Sequence, residues 1–242
     1  MWMRKDKIAI IDNGINRSLI DNGDKISEID FTSKNPIKYF REIEPINHGT
    51  VCAAIVRKYA QNAEIYSLKI MHEMQSRCNL NALLDAIEFC IYEDIKIVNI
   101  SLGTQNPIYV AKMGEIIEKA LKANIIIIAA GARNITVYPA GYKGVIYCDI
   151  NEQFTNMNSK CYWELCPNGK NAIIASGKQR IQLKCGREFL TPNYASFSTP
   201  VVTASVWKKK QGYELFTANT LIDSIDNIQS YFRTNNCILD DT

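Results

Sequence analysis

The chain has only two histidines among its 242 residues, His48 and His72. His72 has no motif around it and reads as a surface residue, so imidazole-based chemistry has one candidate. There is no strong charge of one sign: 28 Lys and Arg stand against 25 Asp and Glu, a formal net charge of +3. That balance excludes the basic footprint of a nucleic-acid or anionic-membrane binder. No apolar run approaches the length of a membrane span; residues 125–131 are the longest stretch and read as a buried strand. At the N-terminus Ile8, Ala9, Ile10 and Ile11 are too few for a signal-peptide core, and Asp12 interrupts them. These absences predict a cytoplasmic chain with no evident prodomain before its first strand.

Other absences narrow the chemistry. No GxGxxG or Walker A pattern follows a strand, which sets aside a dinucleotide or phosphate binder. No CxxC pair occurs among the eight cysteines, and without a signal peptide they read as reduced thiols. Cys52, Cys90 and Cys148 lie inside apolar runs, where a thiol behaves as a small hydrophobe. A zinc site would have to draw on Cys161, Cys166 and Cys185, whose spacing is not that of a metal motif. The acidic residues Asp21, Asp24, Glu28 and Asp30 read as a solvated loop rather than a calcium site. No metal and no cofactor is expected.

What the chain does have is a core. Hydrophobic residues make up 47% and charged residues 22%, a composition that can fold as one globular unit. Apolar runs predict strands at 7–12, 64–71, 95–102, 124–130, 144–150 and 171–176. Between them, 3.6-residue patterns predict helices at 48–59, 79–93, 107–121 and 196–209, with a last one at 221–232. Pro107 suits a first helical turn. Residues 16–47 are polar and read as irregular, with turns at Asn22-Gly23 and Asn35-Pro36. The strands are continuous apolar runs, as in a parallel sheet covered on both faces. The expected fold is a three-layer α/β domain over 1–242, with a mostly parallel central sheet flanked by helices. In such folds ligands bind at the carboxyl ends of the strands, where Asp12, Gly103 and Gly131 fall.

Three patterns carry chemistry: Ile10-Ile11-Asp12-Asn13-Gly14, Asn47-His48-Gly49-Thr50, and Tyr194-Ala195-Ser196-Phe197-Ser198-Thr199-Pro200. Each alone has a commoner role, as a turn cap, a helix-opening histidine and an N-cap serine. In this order, with 97–103, 128–131, 138–146 and 174–177 between them, the chain resembles the subtilisin-like serine peptidases over about residues 6–210. The order Asp, His, Ser is that family's own.

The resemblance implies a subtilisin-like fold and a catalytic triad of Asp12, His48 and Ser196. His48 would take the Ser196 proton and deliver it to the leaving amine, while Asp12 holds the imidazole tautomer. It implies a substrate cleft along Ser101, Leu102 and Gly103 on one side and Ala130, Gly131 and Ala132 on the other. An extended peptide would pair there as an added strand.

Two departures from the family pattern stand out. The family has Asn, an oxyanion donor, where this chain has Ala132. Asn134 ranks first as a substitute, with Arg133 or the Ser196 backbone N–H as alternatives. Tyr194-Ala195 stands where the family has Gly-Thr. The expected partner is a peptide or protein substrate, with no nucleic acid or membrane, and the expected activity is narrow-specificity intracellular processing such as peptide-leader removal. The alternative is an impaired subtilase-like protein that binds a peptide or protein partner.

Overall fold

The computed structural model describes residues 7–20, 23–32, 37–38, 46–72, 79–152 and 161–211. Its centre is a nine-stranded sheet. In chain order the strands are β1 (Lys7–Asp12), β2 (Ile26–Asp30), β3 (Ile37–Lys38), β4 (Glu64–Lys69), β5 (Ile97–Ile100), β6 (Ile126–Ala130), β7 (Ile146–Asp149), β8 (Cys161–Leu165) and β9 (Asn171–Ala175). They lie in the order β3-β2-β4-β1-β5-β6-β7-β9-β8. The seven inner strands are parallel; β3 and β8 pair antiparallel at the edges. A separate hairpin, β10 (Arg180–Gln182) with β11 (Glu188–Leu190), precedes the last described helix.

Helices α1 (His48–Tyr59) and α4 (Ala195–Gln211) pack together on one face of the sheet. Helices α2 (Leu80–Tyr92) and α3 (Pro107–Lys122) pack together on the other. The strand sequences explain why both faces are covered. Side chains alternate across a strand, and in β1 Ile8 and Ile10 join the core under α1 and α4 while Ala9 and Ile11 join the core under α2 and α3. In β6, Ile126 and Ile128 face one way and Ile127 and Ala129 the other. A strand apolar at every position has no face to give to water. The three-layer α/β architecture expected from the sequence is present.

Each of α1, α2 and α3 opens on an asparagine. The side chains of Asn47, Asn79 and Asn106 accept bonds from the amides of Thr50, Asn81 and Ile108, satisfying donors that a helix leaves orphaned at its start. In α2 the buried stripe is Leu80, Leu83, Ala86, Ile87 and Cys90; Leu84 and Ile91 are only half-buried.

Some expectations need correction. Residues 16–47 are not irregular throughout, because β2 runs parallel to β4 inside the sheet. Its sequence, Ile-Ser-Glu-Ile-Asp, buries only Ile26 and Ile29, too little pattern to announce a strand without its neighbour. Strand β8 and the β10–β11 hairpin were likewise unexpected. The possible zinc set fails on geometry: Cys161 is buried in the core under α1 and α4, Cys166 in the opposite core, and Cys185 is exposed. The helix expected at 221–232, and Asp21 of the acidic loop, lie outside the described residues.

Candidate active site

Asp12 ends β1 and is buried. Its Oδ1 accepts the Asn13 amide at 2.9 Å, which orients the carboxyl and leaves Oδ2 facing His48 Nδ1 at 2.8 Å. His48 is the first residue of α1. The loop after β1 and the start of α1 are held together: Asn13 Oδ1 accepts the Gly49 amide at 2.9 Å, and the Asn16 amide donates to Thr50 Oγ1 at 2.8 Å. Gly49 is required here, since a Cβ would lie 2.3 Å from the Gly14 carbonyl oxygen. The carboxylate therefore meets the imidazole through rigid backbone. With Nδ1 committed to a carboxylate, that nitrogen carries the proton of the neutral ring and Nε2 is the basic one.

Ser196 is the second residue of α4 and is half-buried. The next residue, Phe197, stacks its ring at a tilt on the His48 ring, centroids 4.9 Å apart. Pro200 lies inside the helix. It has no N–H to give to the carbonyl four residues back, which is that of Ser196. The fully buried Cys52 thiol takes that place, with Sγ 3.7 Å from the Ser196 oxygen. The same sulfur lies 3.7 Å from His48 Nδ1 and 3.6 Å from Ser101 Oγ. Cys52 thus joins the histidine, the serine-bearing helix and the end of β5. Asp12, His48 and Cys52 bring an oxygen, a nitrogen and a sulfur within 4.8 Å of one another.

Burial disfavours a charged imidazole, yet the Cys52 sulfur and the Asp12 carboxylate together outweigh it and hold His48 above its ordinary value of 6.5. A base raised in this way binds a proton more strongly and also returns it to a leaving group less readily.

Of the residues expected to line a cleft, Ser101 and Ala130 are buried, Leu102, Gly131 and Ala132 half-buried, and Gly103 exposed. Ser101 is held from below by Asn99, whose Nδ2 donates to Ser101 Oγ at 2.9 Å and whose Oδ1 accepts from Thr203 Oγ1 of α4 at 2.9 Å. Beyond Gly103, Thr104 and Tyr138 exchange backbone bonds at 2.8 and 2.9 Å.

The loop after β6 is fixed by residues that sequence reasoning missed. The Tyr147 hydroxyl accepts the Ala132 amide and donates to the Ala132 carbonyl, both at 2.8 Å. Asn168 Nδ2 donates to the carbonyls of Ala132 and Ile135 at 2.8 and 2.9 Å. The Tyr147 ring lies directly on Gly131, where a Cβ would come within 1.8 Å of it. Ala132 and Ile135 pair across the turn. Asn134 is at the tip, exposed and without a hydrogen bond among the described residues. The Arg133 guanidinium is paired with Glu164 and reaches the Ile150 carbonyl at 3.4 Å. Cys52 had a signal in the sequence, since it stands one helical turn after His48; Tyr147 and Asn168 had none.

A carboxylate-oriented imidazole stands at the carboxyl edge of a parallel sheet, beside a serine in the first turn of a helix, on a three-layer α/β scaffold. The chain belongs to the subtilase family, a family of serine peptidases, whose sequence profile matches residues 4–235. It is 28% identical over 154 residues to the minor extracellular protease Epr of Bacillus subtilis (strain 168), an alignment covering 58% of this chain. The chain spans only 22% of the length of that relative. Among solved structures it is similar to a cold-adapted subtilisin-like serine proteinase, with a TM-score of 0.69 at 15% identity over 95% of this chain and 84% of the other. The nisin leader peptidase NisP of Lactococcus lactis is also similar, with a TM-score of 0.68 at 16% identity over 90% and 80%. These likenesses establish a subtilisin-like fold.

Proposed function

We propose that this protein is a serine endopeptidase in which Ser196 is the nucleophile, His48 the general base and acid, and Asp12 the group that orients it. The observation that carries the reading is the 2.8 Å contact between Asp12 Oδ2 and His48 Nδ1. It fixes the tautomer with Nε2 available to take a proton. A peptide lies extended along 100–103 with its scissile carbonyl at Ser196. His48 Nε2 removes the Ser196 proton as Oγ attacks, and Asp12 stabilises the resulting imidazolium. The imidazolium then protonates the departing amine, leaving an acyl-enzyme that water hydrolyses by the same exchange in reverse. The negative oxygen of the tetrahedral intermediate meets the backbone N–H at the start of α4, where helix geometry leaves amides without internal partners.

The substrate class is a peptide or protein, and the role we favour is narrow processing in the cytoplasm, such as leader removal. The fold likeness to a leader peptidase is compatible with that role. A second reading, a peptide-binding protein with little turnover, is favoured by one observation: Ala132 has no side-chain donor and its amide is engaged by Tyr147. Losing one oxyanion donor costs on the order of 100- to 1000-fold in turnover.

The deciding experiment is labelling with a fluorophosphonate, with the adduct mapped by mass spectrometry. Labelling at Ser196 that vanishes in Ser196→Ala and collapses in His48→Ala is the expected result. A folded protein that stays unlabelled at neutral and alkaline pH gives the function to the binding reading.

A further inference from the structure

The segment that leaves β6 crosses to the segment that leaves β5 and is bound to it. The Thr104 amide donates to the Tyr138 carbonyl at 2.8 Å, and the Tyr138 amide donates to the Thr104 carbonyl at 2.9 Å, an antiparallel bridge. Just before the bridge, Val137 lies on Gly103: a Cβ added at Gly103 would stand 3.2 Å from both Cβ and Cγ2 of Val137. The backbone is fixed on its other side as well, since the Val137 carbonyl accepts the Gly141 amide at 2.7 Å. The Tyr138 ring meets the Tyr142 ring edge-on, centroids 4.8 Å apart. Val137 itself is half-buried.

Contacts on the two faces of the cleft show where the Val137 side chain stands. Leu102 and Tyr138 pack against the core under α2 and α3. Ser101 points the other way: its Oγ meets the Cys52 sulfur of α1, which also touches His48 and the Ser196 carbonyl. Side chains alternate along paired chains, so Gly103 shares the face of Ser101. Val137, next to Tyr138 in the chain and in contact with Gly103, shares that face too. Two residues of chain span at most about 7 Å, which keeps Gly103 and Val137 close to the Ser101 end of the wall. On the facing wall Ala130 continues the alternation of Ile126 and Ile128 and presents only a methyl group on this face.

We infer that Val137 is a specificity-determining residue for the acyl side, restricting the residue that carries the scissile carbonyl to glycine, alanine or serine. The inference deepens the endopeptidase reading and rests on it: a peptide lies along 100–103 with Ser196 as the nucleophile. Its side chain nearest the serine then enters the space between the two walls. Ser101, Gly103 and Ala130 leave room there, and the Val137 isopropyl group takes it. A β-branched side chain is stiff at its first torsion, and the backbone of this one is bound on both sides, so a benzyl or isobutyl group cannot displace it without strain.

The test compares two p-nitrophenyl esters of one short peptide on the full chain, the esterified residue being alanine in one and phenylalanine in the other. Ser196 attacks the ester carbonyl, its proton passes to His48, and p-nitrophenolate leaves the acyl-enzyme, so kcat/KM reads the fit of the acyl residue. Wild type should favour the alanine ester about tenfold or more, the discrimination that even one excess methylene meets in a closed pocket. Val137→Gly should lose or reverse that preference, and Val137→Ala should fall between. The ratio is taken within one sample, so a lower folded fraction leaves it unchanged. Two results overturn the assignment of Val137 alone while Ser196 still labels with a fluorophosphonate. One is a wild type that favours the phenylalanine ester; the other is a ratio that is the same in wild type, Val137→Ala and Val137→Gly. No ester turnover, together with an unlabelled Ser196, overturns the nucleophile as well.

Discussion

Pro200 removes the helical donor from the Ser196 carbonyl, and the Cys52 thiol occupies that carbonyl from α1, Sγ to O at 3.7 Å. A break in one helix is repaired by a side chain from another, and the repair runs through the sulfur that also touches His48. Replacing Cys52 with Val should therefore do two things. It leaves a half-buried carbonyl without its donor, at a cost of about 1 kcal/mol, read from the denaturant midpoint. It also loosens α4 against α1, so fluorophosphonate labelling of Ser196 slows, while Cys52→Ser, which can still donate, is affected less.

The raised His48 value sets the pH dependence. A general base must be neutral, so labelling should climb with pH and reach its plateau on the alkaline side of 6.5. For stability the sign is opposite. The unfolded histidine titrates near 6.5 and the folded one higher, so the Asp12–His48 contribution is complete below 6.5 and lost as pH rises through the folded value. The gap in denaturant midpoint between wild type and Asp12→Asn should narrow as the solution is made alkaline.

Asp12→Asn should also cut the rate of Ser196 labelling, by a factor on the order of 10⁴, because the amide can favour the wrong imidazole tautomer. A loss smaller than tenfold would show that the 2.8 Å contact does not orient the base.

Gly131→Ala drives a Cβ into the Tyr147 ring at 1.8 Å. Overpacking of this kind costs roughly 1–3 kcal/mol, measurable by chemical denaturation. Tyr147→Ala frees the space but removes the clamp on Ala132, so the double variant should be less destabilised than the sum of the singles.

Asn134→Ala should leave the Ser196 labelling rate within about twofold, since the exposed turn tip has nothing to hold the amide toward a substrate. Ala132→Asn restores a side-chain donor at the position where the family carries one and should raise turnover of a peptide ester about tenfold or more, with a smaller change in KM.

Much of the architecture was legible because isoleucine-rich runs such as Ile8-Ala9-Ile10-Ile11 and Ile125-Ile126-Ile127-Ile128 can only be strands buried on both faces. The helical stripes told which segments form the covering layers, while the asparagine caps of those helices came to light only in the structure. Strand β2 was not legible: two buried isoleucines separated by Ser and Glu become a strand only when β4 supplies its hydrogen bonds. The candidate site divides in the same way. Asp12, His48 and Ser196 stood out as ordered motifs, and local chain chemistry, a strand end and two helix starts, placed each on its element.

By itself, then, the sequence determined the layers, the strands and the three residue types offered to the catalytic edge, because periodicity and capping act within a few residues. Only the tertiary structure decided how those residues are held. The Cys52 sulfur meets a carbonyl 144 residues away, Tyr147 takes the amide of Ala132, and Gly177 sets the backbone under Tyr194. Contacts of that kind depend on which strands become neighbours, and strand order is a property of the whole sheet rather than of any segment in it.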